Sequence, residues 1–178
     1  MAEGEPEVEF EQGISARMPR KRVAAGALIR AADDRVLLVE PVYKPTWEIP
    51  GGVVEADETP LSACRREIRE ELGLDLPVSR LLVVDWVPQQ GVWHDALLFV
   101  FDGGMIDADQ VAGIRLQPDE LSAAHFVTLD EAAPHLRPSG RRRLAAAVAA
   151  AEAAAESGPG VIAAGPTYLE FGRPALRW

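Results

Sequence analysis

The chain has 178 residues, 48% of them hydrophobic and 26% charged, with 18 Lys+Arg against 28 Asp+Glu for a formal net charge of −10. That composition suits one globular domain with some extra chain, and the negative charge argues against a nucleic-acid or anionic-membrane binder unless a divalent cation bridges the chain to phosphate. Cys64 is the only cysteine, which excludes an intramolecular disulfide and a cysteine-rich zinc site.

The start is acidic, with Glu3, Glu5, Glu7, Glu9 and Glu11, and lacks the basic and apolar segments of a secretory leader. We expect residues 1–19 to be a flexible acidic tail, with a short edge strand through Val8 and Phe10 as the alternative. No apolar run reaches the ~18 residues of a membrane span, so a reduced, cytoplasmic setting is the expectation. Val23–Arg30 and Arg35–Glu40 read as strands joined by a turn at Ala31–Asp34, a hairpin. Pro41–Pro50 reads as a loop. Thr59 as N-cap, Pro60 at the first helical position and Gly73 at the stop predict a helix over Thr59–Leu72.

Leu81–Val87 and Ala96–Phe101 read as apolar strands, closed by Gly103-Gly104. Arg115–Glu120 reads as a loop, His125–Thr128 as a short strand, and Asp130–Leu136 as a short helix cut by Pro134. The alanine-rich Ser139–Glu156 predicts a second long helix, and Val161–Trp178 has no clear reading. Strands and helices without strict alternation suggest an α/β domain with a mixed sheet and helices on both sides.

The chemistry concentrates on the first long helix. At about 100° per residue, Leu61, Cys64, Ile68 and Leu72 share one stripe, while Glu67, Glu70 and Glu71 share another. Three carboxylates on one turn repel each other, and they sit at the negative end of the helix dipole. Either a hard cation such as Mg2+ or Mn2+ relieves that repulsion, or the turn is a solvated face paired with Arg65, Arg66 and Arg69.

The segment Gly52-Val-Val-Glu-Ala-Asp-Glu58, then seven residues, then Arg66-Glu67-Ile68-Arg69-Glu70-Glu71-Leu72-Gly73-Leu74 resembles the Nudix box, G-x5-E-x7-R-E-U-x-E-E-x-G-U with U a bulky aliphatic residue. Every specified position is matched, and Trp47-Glu48-Ile49-Pro50-Gly51 is similar to the usual lead-in. The resemblance covers Arg20 to about Leu136. It implies a Nudix α/β/α sandwich around a mixed β-sheet, with residues 20–138 as the hydrolase domain and 139–178 as a C-terminal helix and tail.

It further implies a Mg2+- or Mn2+-dependent pyrophosphohydrolase acting on a small-molecule nucleotide. The substrate class is a nucleoside diphosphate linked to another moiety, of nucleotide-sugar or ADP-ribose type, or a nucleoside triphosphate. On this resemblance Glu67, Glu70 and Glu71 would hold the cations with the carbonyl of Gly52, the carbonyl of Gly51 being the alternative. Glu70 would be the base, with Glu120 as the alternative, and Glu58 with Arg66 would form a supporting ion pair. Trp47 is a candidate for stacking on a base, and Arg35 and Lys44 are candidates to meet phosphate. No nucleic-acid or membrane partner is expected, and a homodimer is. A catalytically inactive nucleotide-sensing module on the same fold is the alternative function.

Overall fold

A computed structural model describes residues 12–156 and 165–175. In chain order it begins with a helical turn, α1 (Ile14–Arg17), then the long strand β1 (Arg22–Ala31) and β2 (Val36–Pro41). A short strand β3 (Gly51–Val53) leads into α2 (Pro60–Leu72). Two long strands follow, β4 (Leu81–Val87) and β5 (Ala96–Ile106), then α3 (Ala108–Gly113) and β6 (Leu121–Val127). The chain ends in α4 (Leu129–Ala132), α5 (Pro138–Glu156), β7 (Thr167–Glu170) and β8 (Arg173–Pro174).

Among the described residues, eight strands form one mixed sheet in the order β6-β2-β1-β5-β4-β7-β8, with β3 paired to β1 outside that path. β1 runs parallel to β5 and β4 runs parallel to β7, while the other pairs are antiparallel. Side chains of a strand alternate between faces, and here both faces are covered. Ala25, Ala27 and Ile29 of β1 and Leu37 and Val39 of β2 join Cys64, Ile68 and Leu72 of α2 in one core cluster. Leu28, Val36 and Leu38 join Leu144, Ala147 and Ala151 of α5 in the other. The unbroken apolar run Val36–Val39 is explained by burial on both sides. The α/β/α sandwich with a mixed sheet is thus present.

The helix α2 forms where its local signals place it. Thr59 accepts a hydrogen bond from the Ser62 amide at 3.2 Å, a cap worth about 1 kcal/mol, and Gly73 closes the helix in the left-handed conformation, φ 68°. Several other elements differ from the expectation. β3 begins just past the loop expected at Pro41–Pro50, where no strand is predicted, and pairing with Ala24, Ala25 and Gly26 of β1 supplies its hydrogen bonds. β5 continues through Gly103-Gly104 to Ile106, absorbing a register shift against β1 between Leu28 and Arg30. α3 was not anticipated, although Asp107 and Gln110 form a capping box around its first turn. β6 starts four residues earlier than predicted, at Leu121, paired to β2 throughout.

The C-terminal segment adds β7 and β8 to the sheet edge, and Leu169 is buried with α5 and β4 in the second cluster. Arg143, in the first turns of α5, is mostly buried and carries an ion pair across to the sheet. Its Nε donates to Asp85 Oδ2 at 2.7 Å, and Asp85 is fully buried in β4. No helix of the described residues is long and apolar enough to cross a membrane. The acidic start, residues 1–11, lies outside the described part.

Candidate active site

The box wraps a loop, α2 and the turn after it around one end of β1. Pro50 and Gly51 approach β1 so closely that its run of small residues is required. A Cβ on Gly26 would lie 2.6 Å from the Pro50 carbonyl oxygen, and one on Gly51, at φ +143°, 2.3 Å from the Ala25 carbonyl oxygen. This approach brings the glycine loop to the acidic stripe of α2. The Gly51 amide donates to Glu71 Oε2 at 2.8 Å. An added Cβ on Gly52 would sit 2.5–2.7 Å from the Glu67 carboxylate, so the absence of a side chain leaves a cradle beside that carboxylate.

Arg66 organises the rest. Its Nε and Nη2 donate to Glu58 at 3.0 Å each, and Nη2 also reaches the Val53 carbonyl at 3.1 Å. Its Nη1 donates to both Glu67 Oε1 and Glu70 Oε2 at 2.9 Å. One guanidinium thus ties the loop to two of the three stripe carboxylates. Glu71 has no share in it and is only 7% exposed. Burial pushes its carboxyl up to about 8, against the hydrogen bond from Gly51, and the charges of Glu67, Glu120 and Glu48 raise it further. Burial likewise raises Glu67, with Arg66 opposing it.

Two of those neighbours come from elsewhere in the chain. Glu120 lies in the loop before β6, where its carbonyl accepts the Val42 amide at 2.9 Å. Glu48 sits on the lead-in, hydrogen-bonded both ways to Val39. Sequence reasoning gave Glu48 no role. The available signal was its position next to Trp47, since neighbours in extended chain point to opposite faces.

Among the described residues no three acidic, histidine or cysteine side chains stand arranged to hold a metal ion, and Arg66 is bonded to both Glu67 and Glu70. The donor chemistry still fits a hard divalent ion. The donors are oxygen only, one carboxylate is buried with no cationic partner among the described contacts, and the Gly52 cradle opens beside another.

A family model for the NUDIX domain matches residues 20–148. The chain belongs to the Nudix hydrolase family. A MutT-like protein from Streptomyces ambofaciens is 33% identical over 136 residues, 71% of this chain and 88% of that protein. The crystal structure of a MutT NUDIX hydrolase from Burkholderia pseudomallei matches at a TM-score of 0.60 and 29% identity, covering 71% of this chain and 98% of the other. A MutT protein structure from Methanosarcina mazei Go1 matches at a TM-score of 0.62 and 23% identity, covering 71% and 92%. As a Nudix hydrolase, the chain acts on phosphoric anhydride bonds.

The other singled-out residues of this Nudix domain fall in different places. Lys44 pairs with Glu48 on the rim of the acidic cluster. Arg35 sits at the β1–β2 turn, bonded to Asp33 at 2.7 Å and to the Phe126 carbonyl at 3.3 Å. The whole of β2 separates it from Val42, whose amide meets Glu120, and that is roughly 20 Å of extended chain. Both faces of the Trp47 indole are covered, by His125 at a ring-centroid distance of 3.9 Å and by His135 at 3.7 Å. Cys64 is buried, and burial pushes its thiol up to about 12, which suits a core filler.

The cradle yields a direct prediction. Gly52→Ala places a methyl group against the Glu67 carboxylate while leaving the backbone unstrained, so the Nudix domain should fold normally. Its Mn2+ affinity should fall about tenfold, the scale of disturbing a ligand's support. Calorimetric titration with Mn2+ measures it, and unchanged affinity would remove Gly52 from the site.

Proposed function

We propose that this Nudix hydrolase is a Mg2+- or Mn2+-dependent pyrophosphohydrolase that cleaves a nucleoside diphosphate linked to another moiety, of nucleotide-sugar or ADP-ribose type, or a nucleoside triphosphate. The observation that carries the reading is the buried Glu71 carboxylate, pressed by Glu67, Glu48 and Glu120 beside a glycine cradle. Carboxylates crowded in this way are relieved by positive charge delivered from outside.

Glu67, Glu70, Glu71 and the carbonyl of Gly52 would hold the ion. When bound, it supplies a water of lowered pKa and neutralises phosphoryl oxygens. Glu70 has the most exposed carboxyl of the stripe, with a side chain 51% exposed, and it would accept the proton from the attacking water at a carboxylate oxygen. Glu120 is the second choice for that base. Arg66 orients Glu67 and Glu70 through one nitrogen, and Glu58 fixes Arg66 in turn. Lys44 would meet a phosphate by exchanging its partner Glu48.

The test is release of nucleoside monophosphate from a panel of nucleotide derivatives with Mg2+ and with chelator, both products identified in oxygen-18 water. Activity should require the ion, and Glu70→Gln should lower kcat about 10²-fold, as loss of a general base does. Tight nucleotide binding without turnover across the whole panel would replace this reading by the sensing module.

A further inference from the structure

We propose that Trp47, gripped between His125 and His135, is a positioning residue for the cation site and not a surface on which a base stacks. The inference rests on the reading that the box carboxylates bind a divalent ion. The indole lies almost parallel to both imidazoles, at interplanar angles of 9° and 5°. Neither imidazole is loose. His125 Nε2 is 3.0 Å from Glu40 Oε2, and the His135 carbonyl accepts the Trp47 amide at 3.0 Å. The clamp therefore joins β6, the turn after α4 and the lead-in to the box.

The six residues from Trp47 to Gly52 carry that grip to the cradle. Trp47 and Ile49 pack on the cluster shared with α5. Glu48 exchanges two backbone hydrogen bonds with Val39, at 2.8 and 3.0 Å, and the Pro50 carbonyl accepts from Ala27 at 3.0 Å. Gly51 then donates to Glu71 on the other side of the sheet. Glu48 travels on this segment, between Trp47 and the glycines. Any movement of the segment would carry Gly51 and Gly52 away from Glu71 and Glu67. The stack, with Ile49 beside it, is the side-chain anchor that opposes this movement from the opposite face. An indole with both faces taken offers a base only its edge.

The experiment uses the full chain, Mn2+ titration by electron paramagnetic resonance, and steady-state kinetics with a turned-over nucleotide. Trp47→Leu should weaken Mn2+ binding about tenfold and lower kcat to a similar degree, the range seen when a ligand's support is removed. Its nucleotide KM should stay within about twofold of wild type, since the ring does not touch substrate. Trp47→Phe keeps a flat ring in the stack and should recover most of both losses. His135 is exposed, so His135→Leu tests the grip without endangering the fold; it should lose part of the Mn2+ affinity, and His135→Tyr should regain it.

A rise in KM that depends on the base, with Mn2+ affinity unchanged in Trp47→Leu, overturns the proposal in favour of direct stacking. Equal losses in Trp47→Leu and Trp47→Phe overturn it too. Wild-type chain that binds no Mn2+ ends both this inference and the functional reading beneath it. Wild-type chain that binds Mn2+ no better than Trp47→Leu and His135→Leu ends this inference alone.

Discussion

Glu71→Gln should abolish pyrophosphohydrolase activity and, in chelator, make the protein more stable above neutral pH. The two effects have one origin. Glu71 is almost fully buried, and burial with the charges of Glu67, Glu120 and Glu48 raises its carboxyl from 4.5 to about 8. The folded chain therefore keeps this proton to about pH 8, while the unfolded chain releases it near 4.5. Folding binds the extra proton between those values, so its contribution falls as pH rises through that window and is flat beyond it. The glutamine stays neutral, and its carbonyl still accepts the Gly51 amide. We expect the variant to gain roughly 2 kcal/mol or more at pH 9, an order-of-magnitude figure from about 1.4 kcal/mol per pKa unit, and nothing at pH 4.

Activity should move the other way. On the proposed function Glu71 is a charged ligand, and its loss removes several kcal/mol of charge stabilisation, which is about 10³-fold or more in rate. Mn2+ should raise the melting temperature of wild type and leave that of the variant unchanged, because a ligand stabilises only the state that binds it. Thermal unfolding at pH 4 and pH 9, with and without Mn2+, reads all of this. A variant that is less stable than wild type at pH 9 in chelator would show that the carboxylate is not under the strain described.

The second large effect concerns the far side of the sheet. Arg143→Met should destabilise the chain by about 3–5 kcal/mol, because it leaves a buried carboxylate without its counter-charge. Asp85 is fully buried, and its two oxygens are both engaged, one by Arg143 at 2.7 Å and one by the Gly172 amide at 3.0 Å. Arg142 adds a hydrogen bond from Nη2 to the Phe171 carbonyl at 2.8 Å. This cluster fastens α5 and the β7–β8 turn to β4. For a chain of this size the loss corresponds to roughly 6–20 °C in melting temperature. Pairing it with Asp85→Leu should recover most of the loss, since an ion pair replaced as a unit leaves no charge stranded. If Arg143→Met alone melts within about 2 °C of wild type, a small part of the expected shift, the pair is not what holds the C-terminal segment.

Where local rules act, the sequence was readable. The cap at Thr59, the stop at Gly73 and the three-residue stripe of glutamates all depend on spacings within one helix, and helix geometry converts such spacings directly into position. The strands of the first hairpin and Leu81–Val87 were readable because their apolar runs are short and bounded by turn residues. β3 and β7 were not, since both are short and owe their hydrogen bonds to β1 and β4 rather than to their own composition. α3 was missed although its capping residues were present, because its six residues are too few for a periodic pattern to register.

The sequence by itself determined the chemistry: the box helix, its carboxylates, the glycines before it and the family to which they belong. Tertiary structure alone decided which distant groups meet them. Glu48 and Glu120 come near enough for their charges to act on Glu71, Trp47 is closed between two histidines 78 and 88 residues further on, and Asp85 finds its partner in Arg143. Spacing along a helix is set by bonds within one segment, whereas these encounters depend on the order and register of strands whose pairing no local pattern encodes.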